Sequence, residues 1–264
     1  MNTKKTARPK LSIILPSIRT PNLLNFYQRL TESISYSFEL IIIGPYEPPS
    51  ELMENSEVKY IQDYGCPSRC QQIGLVNSTG EYVTWGADDG FFLKDKLTEA
   101  VDFLEENKTS YKDILTCKYV EAEGNATSPA MYEDIYYKIN YHDGLRSRYI
   151  SNDHWLLNVG IVNTDYAKEI GGWDSQFEVT TISHMDFAVR TQRNGSKYFI
   201  LEKPIFVCSH LPGAEGDHGP VHYSHVQHDE PLFKEIYNNP DSLNRVEIEV
   251  DNWEQSPQVW TRRF

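Results

Sequence analysis

Two adjacent carboxylates, Asp88 and Asp89, end an apolar stretch and are followed by Gly90, Phe91 and Phe92. Carboxylate oxygens in such a place suit Mg²⁺ or Mn²⁺, hard ions that prefer oxygen ligands and diphosphates. Asp-Gly is also a common turn pair, so the same residues read equally well as a solvent-facing turn. A second cluster, Ser183-His184-Met185-Asp186, precedes Arg190. Histidine has a pKa suited to proton transfer near neutral pH. An Asp near a helix start also has a purely structural use, because it complements the helix dipole. All eight histidines lie at or beyond position 142, and five fall between 210 and 228. His222, His225 and His228 are spaced so that a helix brings neighbouring pairs onto one face. A glycine-rich lid, a zinc site and a solvated loop all fit that segment, but no C-x-x-C or H-E-x-x-H signature supports zinc. Asp153, His154 and Asn158 are further polar side chains that could touch a ligand or simply hydrogen-bond a loop.

These residues need a scaffold, and the hydrophobic pattern supplies one. Residues 11–16 (LSIILP) and 38–44 (FELIIIG) are short apolar runs stopped by proline or glycine, which read as buried strands. Between them, residues 21–36 carry apolar side chains at helical spacing. Strand, helix, strand is a βαβ unit, so the sheet begins parallel. A third strand fits 58–62, a helix opened by Pro67 runs to about 77, and a strand at 81–86 leads into Asp88. An amphipathic helix covers 93–108, and another strand fits 113–120. The stretch 121–155 is rich in Tyr, Asn, Asp and Ser and reads as a long functional loop or β-excursion. A strand near 158–163, a helix near 164–170, a helix near 184–194 and strands at 197–201 and 204–209 complete the pattern. The expected organisation is a flexible segment over 1–10, one α/β domain over 11–240 and a polar tail over 241–264. Within that domain a nucleotide-binding half spans about 11–120 and an acceptor half about 121–240.

Composition narrows the function. The chain has 264 residues and a formal net charge of -13. Such a surface repels phosphate backbones and argues against bulk nucleic acid as a partner. A nucleotide remains admissible, since a metal ion can bridge two anions. The four cysteines show no C-x-x-C pair and read as buried free thiols of a reducing compartment. No stretch approaches the ~18 apolar residues of a membrane span, and the N-terminus lacks a signal-peptide core. A cytoplasmic protein is expected.

In order along the chain, several pieces resemble the GT-A nucleotide-sugar glycosyltransferases, family 2 above all. They are LSIILP, FELIIIG, the loop Gly65-Cys66-Pro67-Ser68-Arg69 running to Gly74-Leu75, the run Ser78-Thr79-Gly80-Glu81-Tyr82 leading to Asp88-Asp89, and the turn Gly171-Gly172-Trp173-Asp174. The resemblance covers about residues 10–212. It implies a Rossmann-like mixed, mainly parallel central sheet flanked by helices in a single domain. It also implies transfer of a sugar from a UDP- or GDP-sugar to an unidentified acceptor, with inversion and with Mn²⁺ or Mg²⁺.

The resemblance also assigns roles. Asp88 and Asp89 would hold the metal, Asp88 would face the donor, and His210 would complete the metal shell. Pro16, Ser17 and Arg19 would flank the nucleotide, and Arg69 would contact the diphosphate or the base edge. Gly172, Trp173 and Asp174 would shape the acceptor side, with Trp173 as a stacking wall. Three departures stand out. Gly86 occupies the place of the first acid of the D-x-D motif. Gly44-Pro45-Tyr46 stands where an acid usually reads the base, for which Asp63 is the substitute. His184 occupies the place of the catalytic aspartate, leaving His184 and Asp186 as candidate bases. A nucleotidyltransferase and a non-catalytic nucleotide-sugar binder are the competing functions. The first usually wants a glycine-rich loop after the first strand, and Pro16-Ser17-Ile18-Arg19 has no glycine.

Overall fold

The computed structural model describes residues 8–123, 130–135, 157–174, 176–210 and 219–238. The chain runs β1 (Leu11–Pro16), a short 3₁₀ turn, α1 (Leu23–Ser33), β2 (Phe38–Gly44), α2 (Ser50–Met53), β3 (Val58–Gln62), α3 (Pro67–Asn77), β4 (Tyr82–Trp85), β5 (Gly90–Phe92), α4 (Lys96–Asn107) and β6 (Ile114–Glu123). It continues through β7 (Ala130–Ile135), β8 (Gly160–Asn163), α5 (Thr164–Glu169), α6 (Thr180–Arg193), β9 (Tyr198–His210), α7 (Gly219–Ser224), a π-turn (His225–Asp229) and α8 (Glu230–Asn238).

Side-chain alternation on the first strands sets the layers. Leu11, Ile13 and Leu15 point to one face and cluster with Leu23, Phe26 and Leu30 of α1 and Leu97, Val101 and Leu104 of α4. Ile14 points to the other face, with Ile41, Ile43, Leu75 of α3 and Phe187 of α6. A strand buried on both faces must be apolar throughout, which is why these runs show no polar alternation. The result is a sheet sandwiched between helices.

The sheet order is β3-β2-β1-β4-β8-β6-β9-β5, with β7 paired to β6. Strands β3, β2, β1 and β4 are mutually parallel. From β8 onward the pairing is mixed: β8 is antiparallel to both β4 and β6, and β9 is parallel to β6. One hydrogen-bonded sheet therefore joins the two expected halves. No helix among the described residues is long and apolar enough to cross a membrane.

Three elements differ from the sequence expectation. The two strands expected at 197–201 and 204–209 are one strand, β9. Its register against β6 jumps from Leu201↔Cys117 to Pro204↔Lys118. Pro204 has no N–H to give the ladder, and a bulge absorbs it without ending the strand. Helix α6 begins at Thr180, earlier than 184. The two residues just before it are held from far away, since the Asp229 carboxylate accepts from the N–H groups of Glu178 at 3.0 Å and Val179 at 2.7 Å. The described part of the histidine-rich segment is helical, and the helix that follows it is packed. Phe233 and Tyr237 are buried against Phe177, Ile182 and Val189. Of the expected excursion, β7 is described. The remainder of it and the tail beyond 238 lie outside the described residues.

The loop after β1 crosses the end of β2 with no slack. A Cβ on Gly44 would stand 1.9 Å from the Ser17 carbonyl oxygen. Ser17 N–H also donates to Ile43 O at 2.8 Å. Gly44→Ala is therefore expected to push residues 17–19 away from β2 and to cost about 1–3 kcal/mol as overpacking. Urea denaturation measures this, and an unchanged midpoint would show that the loop yields freely.

Candidate functional site

A cavity of about 510 Å³ opens beyond the carboxyl ends of β1, β2 and β4. This is where ligands bind in open parallel sheets, because the loops there diverge to either side. Pro16, Ser17, Ile18 and Arg19 form one wall, and Gly44, Pro45, Tyr46, Tyr64 and Gly65 form another. Ala87, Asp88 and Asp89 stand at the end of β4, while Thr180 of α6 and Pro220 and Val221 of α7 close the far side.

Asp88 is buried at 4% exposure. Its Oδ2 accepts from Ser17 Oγ at 3.0 Å, Ile18 N at 2.8 Å and Arg19 N at 2.7 Å. Its Oδ1 takes the Arg19 guanidinium. Asn22 Nδ2 donates to the Asp88 carbonyl at 2.8 Å. The structure thus brings Pro16, Ser17, Arg19, Asp88 and Asp89 together as cavity-lining residues. At the place of the missing first acid, a Cβ on Gly86 would lie 3.0 Å from Phe26 and 3.5 Å from Phe206. Aromatic rings fill the space an aspartate there would need.

Asp63 and Arg69 form a pair of their own. Arg69 Nε reaches Asp63 Oδ1 at 3.0 Å and Nη2 reaches Oδ2 at 3.0 Å, while Gly65 N–H donates to Oδ1 at 2.7 Å. Asp63 is 1% exposed. Neither residue is among those lining the cavity. The expected roles of Asp63 in reading a base and of Arg69 in contacting a diphosphate rest on the resemblance; in this structure the two side chains engage each other. The bidentate pair shapes the loop from β3 into α3.

The residues expected on the acceptor side lie in a packed region. Trp173 is fully buried, edge-on to Trp85 at 5.0 Å and stacked on Phe187 at 5.4 Å. Gly172 has φ +71°, a left-handed conformation that favours glycine. Gln72 spans the turn, accepting from Trp173 N at 2.8 Å and donating to Gly171 O at 2.8 Å. Asp174 is buried and accepts from Gln176 N at 2.9 Å. Arg190, itself buried, donates to Ile170 O at 2.8 Å and to Gly172 O, and pairs with Asp186 at 2.7 Å. The Gly-Gly-Trp-Asp turn is core architecture.

The two candidate bases lie in that core. Asp186 accepts from Tyr237 Oη at 2.6 Å in addition to Arg190. His184 is 5% exposed, packed between Trp85 and Trp173, with Nε2 2.8 Å from Gln71 Oε1. Burial pushes its pKa down to about 3, so it is neutral at physiological pH and a poor proton acceptor. Neither lines the cavity. Residue type and position of His184 match a base, while its surroundings are Trp-rich.

Among the described residues no group of three His, Cys, Asp or Glu could hold a metal unaided. His210 ends β9, and its side chain lies outside the described residues, as do Asp153, His154 and His218. Sequence reasoning missed Tyr46, Tyr64, Pro220 and Val221. The tyrosines carried a signal, being aromatics in loops that directly follow buried strands. Pro220 and Val221 carried none, because long-range packing brings them to the cavity.

No protein-family model matches the chain. Two curated relatives, each named an uncharacterized glycosyltransferase, come from Rickettsia felis and Rickettsia conorii. Each is 29% identical over 130 residues, covering 43% of this chain and 21% of the relative. The chain thus spans about a fifth of their length. Among solved structures, S. aureus TarS 1–349 matches with TM-score 0.56 and 17% identity over 76% of this chain and 60% of that one. The same protein in complex with UDP-GlcNAc matches with TM-score 0.56 and 18% identity over 80% and 60%. In complex with UDP it gives TM-score 0.56 and 15% identity over 87% and 71%. The fold is GT-A-like: a mixed, curled sheet flanked by helices.

A buried neutral His184 predicts acid lability of a definite sign. Its folded pKa lies below its unfolded value, so the stability it contributes is fully present above about pH 6.5 and is lost as pH falls toward about 3. His184→Gln is expected to flatten the loss of stability between pH 7 and pH 4, by something on the order of 3 kcal/mol. Denaturant melts at the two pH values test this. Equal losses in variant and wild type would mean that His184 titrates normally.

Proposed function

We propose that this chain is a glycosyltransferase that binds a nucleotide-diphosphate sugar, UDP- or GDP-linked, in the 510 Å³ cavity and transfers the sugar to an acceptor. The observation that carries the reading is the cavity itself. It lies at the strand ends of a GT-A-like sheet and combines two tyrosines, an arginine and two aspartates. That TarS, which shares the fold, has been solved with UDP-GlcNAc and with UDP supports the choice of ligand. The names of the two Rickettsia relatives support transfer as the reaction.

In this reading each wall has its own task. Tyr46, half exposed, and Tyr64 offer faces for a nucleobase to stack on. Tyr64 is fixed by Gln62 Nε2, which donates to its hydroxyl at 2.9 Å. Base recognition would rest on stacking and backbone groups, consistent with the absence of the usual base-reading acid. Arg19 stands at the cavity where the phosphates would lie, held there by Asp88. Among the described residues lining the cavity, the charged ones are Arg19, Asp88 and Asp89, and the acids outnumber the base. A diphosphate entering such a site needs a cation.

A divalent cation, Mn²⁺ or Mg²⁺, is therefore part of the proposal. Such ions keep several waters and need only one or two carboxylates besides the substrate phosphates. Asp89 fits that role, and His210 is the second ligand the resemblance implies. When bound, the ion would act as a Lewis acid that neutralises the leaving diphosphate.

Inversion, as the resemblance implies, calls for a base on the acceptor side. His184 and Asp186 do not supply one from where they lie. That observation favours a second reading, a nucleotide-sugar binder without turnover.

Calorimetric titration of UDP, GDP, CDP and TDP, each with Mn²⁺ and with EDTA, tests the donor site. One nucleotide is expected to bind at least about tenfold more tightly with Mn²⁺, a difference of about 1.4 kcal/mol. Asp89→Asn should remove that advantage. Incubating the preferred nucleotide's sugar conjugates with the protein then separates the readings. Release of nucleoside diphosphate marks transfer or hydrolysis, binding without release marks the second reading, and pyrophosphate release would mark a nucleotidyltransferase. If no nucleotide binds the folded protein, both nucleotide-sugar readings fall.

A further inference from the structure

The D-x-D resemblance makes Asp88 a metal ligand, yet the chain itself already occupies its carboxylate. A carboxylate offers about four lone-pair sites. Here one hydroxyl, two consecutive backbone amides and one guanidinium point at it: Ser17 Oγ, Ile18 N, Arg19 N and the Arg19 side chain. Those are the donors that an anion collects in a backbone nest. The loop has no room to withdraw, since Ser17 O would meet a Cβ on Gly44 at 1.9 Å and Ser17 N–H is tied to Ile43 O. For a cation to take Oδ2, three hydrogen bonds from this loop would have to be given up.

We propose that Asp88 is not a metal ligand but a positioning residue, the internal anion around which residues 17–22 fold. It builds the donor-side wall, brings Arg19 to the cavity and leaves the cation to its neighbour Asp89. The inference rests on the donor-site reading for its consequence, nucleotide affinity, but not for the loop geometry itself. A metal ligand and a loop anchor differ in what their loss does. Removing a ligand abolishes the cation's help and leaves the loop intact. Removing the anchor loosens the loop and weakens nucleotide binding to the same degree with or without the cation.

The 264-residue chain serves for the test, as wild type, Asp88→Asn and Asp89→Asn. Amide hydrogen exchange at Ile18 and Arg19 is followed by NMR, and UDP and GDP are titrated in Mn²⁺ and in EDTA. In Asp88→Asn the two amides should exchange at least about tenfold faster, as loss of a charged hydrogen-bond acceptor implies. Nucleotide affinity should weaken by about tenfold in both buffers, with the Mn²⁺-to-EDTA ratio unchanged. In Asp89→Asn the amides should exchange as in wild type while the ratio falls toward one. Asp88→Asn with wild-type exchange and a collapsed ratio would overturn the proposal. Should Asp88→Asn fail to fold, Ser17→Ala removes one donor and should shift the same readouts in the same direction, less strongly. An unchanged Ser17→Ala would count against the proposal. Should no nucleotide bind even to wild type, the donor reading falls, and amide exchange alone decides whether Asp88 holds the loop.

Discussion

A buried carboxylate must be supplied with donors, and in this protein that requirement holds several loops in place, at the cavity and away from it. Taking an ion out of water costs several kcal/mol unless hydrogen bonds or counter-charges replace the lost hydration. Asp88 meets the need with the loop after β1. Asp63 meets it with Gly65 N–H and Arg69. Glu39 collects Thr79 N, Gly80 N, Ser12 Oγ and Lys59, pinning the turn into β4 to strands β1 and β2. Asp229 collects the amides that open α6. Asp88, Glu39 and Asp229 each order backbone that is distant in sequence, whereas Asp63 orders the loop that directly follows it.

The second half of the sheet uses the same logic with the charges reversed. Arg190, fully buried, needs acceptors and finds them in Asp186 and in the carbonyls of Ile170 and Gly172. Those carbonyls project inward because the chain turns through left-handed glycines at 171 and 172. Gln72 of α3 grips the same turn from the other side. The Gly-Gly-Trp-Asp sequence is thus where α3, α5 and α6 are keyed together, which explains why an aromatic residue there is packed and not presented.

Much of the scaffold was legible in the sequence, because burial on both faces forces uninterrupted apolar runs and helices must show apolar stripes. LSIILP, FELIIIG and the stretch ending in Asp88 became β1, β2 and β4, and the cavity lies where their carboxyl ends suggest. The side chains at those ends were less legible. Sequence gives residue type and spacing, but whether an acid faces a ligand or a backbone amide depends on which distant loop arrives beside it. Asp63 and Arg69 are close in sequence and satisfy each other. Trp173 and His184 meet only through the packing of α6 on β4. The start of α6 is set by Asp229, and nothing local announces it. Tyr46 and Tyr64 needed only the rule that residues just past buried parallel strands line the ligand crevice.

Two of the three positions at which this chain lacks an expected acid, Gly86 and His184, share a physical setting. Gly86 lies against Phe26 and Phe206, and His184 lies between Trp85 and Trp173. A carboxylate at either place would be desolvated by aromatic faces with no donor aimed at it, and a ring face is itself negative. Glycine at one and a neutral imidazole at the other remove the charge where the packing cannot support it. The negative charge that stays at the cavity is then confined to Asp88 and Asp89, with Arg19 set against Asp88. Aromatic packing beside the site thus limits where negative charge can be placed around it.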